Sequence, residues 1–445
     1  MLTPAKKATL GSFVGTTIEW YDFFIYGTAS ALIFRHVFFP AQDPVVGTLL
    51  SFATFGVAFL ARPLGGLIVG HFGDKVGRRP MLVLTLVVMG TATGLIGMLP
   101  TYDSIGIAAP LLLVGLRFIQ GLSVGGEYGG AVLMTVEHAP KHRRGLYGSW
   151  VQAGSPAGQI IANGVFLITT SMMSREDLLA WGWRIPFLAS FILVAVGLVI
   201  RLRVEESPEF KRLEKTNEKV TSPLVSVLRK YRKQVVLMAG AYLVHGVVIY
   251  GAAVYSLSYG TTRLDFSYSD MLLLILLCQI VVLILIPTFA NIGDKVGIKK
   301  VFLIGNVGMG LMGIPWVMLL DTGSFGLALL GYLLIFIPYA ATYGTMAAFF
   351  ASIYDSRVGY SGISMGYQLG SIIGSGLTPL AAAALIASTG TVVTFGVYIG
   401  VAAVLSVAAT IYLTAHKEEP DDVVTPTHPE NQVGVAKTPV DRTPA

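Results

Sequence analysis

Gly73-Asp74-Lys75-Val76-Gly77 stands at the end of one long apolar stretch, and the same five residues return as Gly293-Asp294-Lys295-Val296-Gly297 at the end of another. Each copy closes the second apolar block in a set of six. A second pair of strings repeats at matching places, Gln152-x-Gly154-x-x-x-Gly158 in the fifth block and Gln368-x-Gly370-x-x-x-Gly374 in the eleventh. Weakly repeated halves of this kind are the mark of membrane carriers in which two bundles move about a site between them.

The composition agrees with a membrane solvent. Hydrophobic residues make up 54% of the 445, charged ones 13%, and the mean hydropathy is +0.70, more apolar surface than a soluble fold hides. Apolar blocks fall at 11–34, 46–71, 81–99, 108–134, 146–173, 184–202, 235–259, 268–290, 301–320, 325–351, 358–387 and 391–414. Each reaches roughly the 20 residues that a helix needs to cross a hydrocarbon core of ~30 Å. None alternates as barrel strands do. The expectation is an all-α membrane protein of twelve transmembrane helices in two six-helix bundles, 1–202 and 235–414. A charged cytoplasmic linker at 203–234 joins them, and 415–445, polar and rich in Pro, Thr and Asp, reads as a disordered cytoplasmic tail.

The net charge of +6 is a topology signal, not a nucleic-acid footprint. Lys6 and Lys7, then Lys75, Arg78 and Arg79, then Lys141, Arg143 and Arg144, then the cluster from Lys211 to Lys233, then Lys295, Lys299 and Lys300 lie in alternate loops. Loops 100–107 and 321–324 carry no Lys or Arg, and the loop between spans seven and eight has only Arg263. The basic side is therefore expected in the cytoplasm with both termini, in a multi-pass protein of a bacterial plasma membrane. The first apolar run contains carboxylates and no small-residue cleavage site, so it is expected to stay as helix one. Cys278, alone and inside a span, gives no disulfide framework and no CxxC metal site. No metal and no cofactor is expected.

Charges inside a bilayer are costly and serve a pathway or pair with each other. Glu19 and Asp22 lie three residues apart near the middle of the first span, on one helical face. Two carboxylates so close do not both ionise easily, so one is suited to carry a proton; the alternative is that both pair with arginines and lock the bundle. Arg117 enters span four near mid-membrane, with Gln120 one turn on. Its planar fork suits a substrate carboxylate, and equally a permanent partnership with Asp22 or Glu19. Glu127 stands among glycines, Gly125 with Gly129 and Gly126 with Gly130 making small-xxx-small pairs for close helix packing; it reads as gate or pathway. Arg62, just before Pro63, either gates by reaching a carboxylate or snorkels to the interface. His245 in span seven relays protons, binds substrate or sits neutral in the core. Tyr21, Gln152, Tyr343 and Gln368 are polar side chains expected to line a cavity and touch substrate. Trp181, Trp183 and Arg184 read as an interfacial anchor.

Gly70-His-Phe-Gly-Asp74-Lys75-Val-Gly77-Arg78-Arg79 resembles the signature loop between helices two and three of the major facilitator superfamily. Glu19-Trp-Tyr-Asp22-Phe, Arg62-Pro-Leu-Gly-Gly66, Arg117-Phe-Ile-Gln120-Gly121, Gly125-Gly-Glu127-Tyr-Gly-Gly130, Trp181-Gly-Trp-Arg184-Ile-Pro-Phe187 and Glu206-Ser-Pro-Glu-Phe210 are similar to strings of its metabolite:proton symporter branch, which includes shikimate, α-ketoglutarate, citrate and proline or betaine carriers. The first 160 residues resemble shikimate-type carriers most. The resemblance, spanning 8 to about 414, implies a major facilitator fold and proton-coupled uptake of a small organic acid or zwitterion by alternating access. Its partners would be substrate, protons and membrane lipid, with no nucleic acid, and the chain would act as a monomer. It also implies that Asp74, Arg78 and Arg79 form a gating latch, echoed at Asp294. There Ala290 replaces the usual glycine and Ile298 a basic residue, so the second latch is expected to be looser. The chain is not expected to be an enzyme: GxxxxGK[ST], HExxH and a GxSxG elbow with triad partners are absent. A proton-driven exporter of drugs or metabolites is the alternative, separated by the Glu19, Asp22 and Arg117 cluster.

Overall fold

The computed structural model describes residues 4–40, 42–76, 78–125, 127–137, 139–202, 227, 229–354 and 359–413, for some of these the backbone alone. Every secondary-structure element among them is helical. Twelve long helices follow one another: α1 (Pro4–Leu32), α2 (Pro44–Val76), α3 (Arg78–Met98), α4 (Ala108–Val124, resuming as Glu127–Glu137), α5 (Arg144–Met172) and α6 (Arg184–Leu202) form the first half. The second half holds α7 (Arg232–Tyr250, carried through a π turn at Gly251–Tyr255 into Ser256–Arg263), α8 (Tyr268–Val296), α9 (Ile298–Asp321) and α10 (Phe325–Ala351). It closes with α11 (Gly359–Ser371, a π turn at Ile372–Gly376, then Thr378–Thr389) and α12 (Val393–Tyr412). α7 begins three residues before the expected boundary. Most of the expected linker and the tail from 414 on lie outside the described residues.

Eight of these helices are long and apolar enough to cross a membrane, or nine with the pair Arg175–Gly182 and Arg184–Val199, bent by 45°. Val83–Met98 is a shorter apolar helix. α1 and α5 do not qualify on composition, and they carry Glu19, Asp22, Gln152, Gln159 and Asn163. A spanning helix tolerates such groups where they face the bundle interior instead of lipid. Accordingly Asp22, Gln152, Gln159 and Asn163 are buried, while Leu60, Ile192, Ile304, Leu311 and Val404 are exposed on the outside.

Packing repeats between the halves. α1 lies on α5 as α7 lies on α11, α2 on α4 as α8 on α10, and α3 on α6 as α9 on α12. Between halves, α5 packs against α8, and α2 against α11. α2 and α4 touch backbone to backbone where Gly121 meets Ala58 and Gly125 meets the Arg62 carbonyl and Gly66. Gly121 therefore joins Gly125 in the close approach, with Gly65 and Gly66 of α2 lying opposite this stretch of α4.

The aromatic anchor expected before α6 divides. Trp181 is exposed, but Trp183 is fully buried among Phe34, Phe38 and Phe187. Arg184 donates from Nη1 to the carbonyls of Gly97 (2.9 Å) and Leu99 (2.6 Å), closing the C-terminal end of α3, where terminal carbonyls lack helical partners. Those two residues are tertiary joints, not interfacial anchors.

Candidate functional site

Glu19, Asp22, Phe23 and Tyr26 follow one another at helical spacing and form a single stripe on α1. Asp22 is fully buried. Ser190 of α6 donates to its Oδ1 at 2.7 Å, while Oδ2 has no hydrogen-bond partner. Arg117 is likewise fully buried. Its Nη1 donates to Gln120 Oε1 (3.0 Å), and Gln120 Nε2 donates to Thr93 Oγ1 (2.6 Å); Nε and Nη2 have no partner. Among the described residues Arg117 makes no ion pair with Asp22. Aromatic faces hold the cation instead, with its Cζ 4.0 Å from the Tyr26 ring centroid, 4.5 Å from Phe23 and 5.1 Å from Phe55. A desolvated contact of this kind contributes about 2 kcal/mol.

Arg62 is also inward. It is 2% exposed, so the snorkelling alternative is corrected: Phe23 (4.1 Å) and Phe59 (4.5 Å) hold its guanidinium in the interior, and Nε and Nη2 have no hydrogen-bond partner. Arg62 lines a pocket between the halves, with Glu19 and Trp20 of α1, Glu127 and Tyr128 of α4, and Tyr367 and Gln368 of α11. The pocket is almost closed in this structure, with a cavity volume of about 10 Å³, room for about one water molecule. Tyr128 and Tyr367 stack across the halves at 3.9 Å, and Gln368 Nε2 donates to the Gly125 carbonyl at 3.0 Å. Glu19, Arg62, Glu127 and Gln368 therefore come together, with Gln152 buried beside the pocket residue Val151.

Other expected residues are placed elsewhere. Arg117 and Gln120 sit behind the pocket, inside the first half. Tyr21 turns its hydroxyl to the Pro186 carbonyl (2.7 Å) in α6, away from the residues that line the pocket. His245 lies in an aromatic stack of the second half, 4.5 Å from Tyr339 and 4.4 Å from Tyr343, with Nδ1 unpartnered.

Sequence reasoning passed over Phe23, Phe55 and Phe59, although Phe55, Phe59 and Arg62 share one helical stripe. It also passed over Thr93, Ser190 and Gln279. Gln279 of α8 is buried with Nε2 unpartnered.

At the basic end of the molecule Asp294 reaches from α8 to the first turn of α5. Its Oδ1 accepts from Gly145 N at 2.8 Å and its Oδ2 from Leu146 N at 2.9 Å. A carboxylate on a helix N-terminus is favoured by the orphan N–H groups and the helix dipole. The substitutions at Ala290 and Ile298 do not prevent this bidentate contact, because it uses backbone donors and no basic side chain. The side chains of Asp74, Arg78 and Arg79 lie outside the described ones. At the opposite end of the same helix pair Thr170 and Ser269 share a hydrogen bond (3.2 Å), and Tyr268 donates to the Leu32 carbonyl (3.0 Å).

The Major Facilitator Superfamily profile matches residues 12–375. The shikimate transporter of Escherichia coli (strain K12) is 40% identical over 388 residues, 86% of this chain and 89% of that protein. The inner membrane metabolite transport protein YhjE of the same organism is 39% identical, covering 85% and 87%, and its proline/betaine transporter is 33% identical, covering 95% and 86%. A solved D-xylose-proton symporter shares the fold at a TM-score of 0.73 and 18% identity, over 92% of this chain and 96% of that one. With that profile along most of its length and relatives of such identity over the same span, the chain belongs to the major facilitator superfamily, in its metabolite:proton symporter branch, and is a multi-pass membrane transporter.

Proposed function

We propose that the protein imports a small metabolite bearing a carboxylate, a hydroxylated organic acid or a zwitterion, together with a proton. It works as a monomer in the bacterial inner membrane, by alternating access, with the basic end and both termini in the cytoplasm. The observation that carries the reading is Arg62 on the wall of a pocket between the halves, with Glu19 beside it and the buried Asp22 one turn along the same helix.

Arg62 offers a planar fork to a substrate carboxylate, which a point charge matches less well. Gln368 and Tyr128, from opposite halves, close around the bound molecule, so binding bears directly on how the halves sit. Asp22 carries the proton: buried, with one oxygen held by Ser190 and no cation bonded to it, it is cheaper to hold neutral than charged. Glu19 passes the proton between Asp22 and the pocket. Glu127 and the Asp294 tie act as gates, with Asp74, Arg78 and Arg79 forming the matching latch. The shikimate, metabolite and proline/betaine transporters among the relatives support this substrate range.

The test is uptake into proteoliposomes of radiolabelled shikimate, α-ketoglutarate, citrate, proline and betaine, with an inward proton gradient imposed or collapsed, for wild type and Asp22→Asn. Accumulation that requires the gradient and is lost in the variant, while exchange of internal for external substrate persists, is expected. Uptake indifferent to the gradient would sink proton coupling.

A further inference from the structure

Among the described residues Phe23 is the one ring that touches both buried guanidiniums of the first half. Its centroid lies 4.1 Å from Arg62 Cζ and 4.5 Å from Arg117 Cζ, and the side chain is 1% exposed. On one side is the cation that lines the pocket. On the other is the cation whose field reaches Asp22, the residue next to Phe23 in the chain. We infer that Phe23 is a positioning residue that couples the proton on Asp22 to the substrate on Arg62, by sharing its ring between the two arginines.

The physical argument starts from what holds each cation. Among the described residues Arg117 rests on a hydrogen bond to Gln120 and on three rings, and Arg62 rests on the rings of Phe23 and Phe59 beside the pocket carboxylates Glu19 and Glu127. A ring face attracts a cation through its quadrupole, and the attraction falls as the cation leaves the face. While Asp22 is ionised it draws Arg117 towards itself. Once Asp22 takes a proton that pull disappears, and Arg117 rests more fully on Tyr26 and Phe23. Two guanidiniums repel, so a closer Arg117 favours release of Arg62 from the shared ring towards a carboxylate in the pocket. A substrate that draws Arg62 away has the reciprocal effect, since coupling between two sites is symmetric in binding free energy. The other titratable or charged groups facing Asp22 and Arg117 are Glu19, Tyr21 and Tyr26 on α1, Arg62 on α2 and Tyr250 on α7. None but Phe23 touches both cations and neighbours Asp22.

This inference rests on the proposed symport, and the experiment separates the two. Binding of radiolabelled shikimate, or of proline if shikimate is not taken up, is measured on the full chain in nanodiscs from pH 5 to pH 9. One linked proton lets wild-type affinity fall by up to about tenfold per pH unit. Phe23→Leu, apolar but without a quadrupole, should bind at acid pH and lose most of that slope, to about twofold per unit or less, and Phe23→Tyr should restore it. If the leucine variant does not purify as a monodisperse protein, pentafluorophenylalanine at position 23 keeps the ring shape, reverses the quadrupole and carries the same expectation. A wild-type slope in Phe23→Leu, or equal slopes in the leucine and tyrosine variants, would overturn the role of Phe23 while leaving symport intact. A flat wild type would remove proton coupling itself, and this inference with it.

Discussion

Asp294 and Gly145 meet across the seam between the two halves, the carboxylate of one accepting the N–H of the other at 2.8 Å. Gly145 permits the approach, because a Cβ there would stand 2.6 Å from Asp294 Oδ1 and 3.0 Å from the Ala290 carbonyl. Gly145→Ala and Asp294→Asn should both loosen the basic end. Loss of a charge from a helix N-terminus costs about 1 kcal/mol, roughly a fivefold change in the balance of closed and open forms. Electron–electron distance measurements between spin labels on the basic ends of α5 and α8 should show a larger separated population. An unchanged distribution would mean the contact does not hold that end.

Arg62→Lys keeps the charge but loses the planar stack on Phe23 and Phe59 and the forked donor set. KM for the transported acid should rise at least about tenfold, with a smaller change in kcat. Initial-rate uptake over a range of substrate concentrations decides this, and an unaltered KM would remove Arg62 from the binding site.

Tyr21→Phe should lower stability by about 1 kcal/mol, the net value of a buried hydrogen bond, and leave KM unchanged. The reason is the Tyr21 hydroxyl on the Pro186 carbonyl. Thermal unfolding in detergent and uptake kinetics together separate this from a substrate role, which would raise KM.

Gly125→Ala should destabilise by about 1–3 kcal/mol, the usual penalty for overpacking, because the added methyl would meet main-chain atoms of Arg62, Gly65 and Gly66. Melting temperature is the readout. A neutral result would show that α2 and α4 separate without penalty.

His36 lies beyond the end of α1. Burial first, then the neighbouring Arg35 and Arg175 charges, lower it to about 4 from its ordinary 6.5, and Arg35 Nε donates to its Nε2 at 3.0 Å. Below pH 6.5 the unfolded chain takes up a proton that the folded chain refuses. Stability is therefore lost as pH falls from 6.5 towards 4, and none is lost above. His36→Gln should reduce the drop in unfolding temperature between pH 7 and pH 4.5, and should leave the uptake profile from pH 5 to 8 as it was.

Hydropathy marked the spans well because the length of a crossing is set by the bilayer: α10 keeps both expected limits, while α2 and α8 run five and six residues past theirs into the polar Gly-Asp-Lys-Val strings. For the site, residue type and depth were legible but facing was not. Arg62 and Arg117 look alike in sequence; only the packing of α2 and α4 through Gly121 and Gly125 turns the first to the pocket and the second to Tyr26 and Phe55. Trp183 misled for the same reason, because an indole at a span's start suits an interface until Phe34 and Phe38 cover it.

Twenty-five residues separate Gly145 from Thr170 on α5, and as many separate Ser269 from Asp294 on α8. At 1.5 Å per residue the two ties stand about 37 Å apart, and a tilt of about 10° pivoting on either one would part the other by about 6 Å. The pair is thus a lever of bilayer length tied at each end. Were one tie to part, the gap opened there would have the width of a small metabolite while the other end stayed shut.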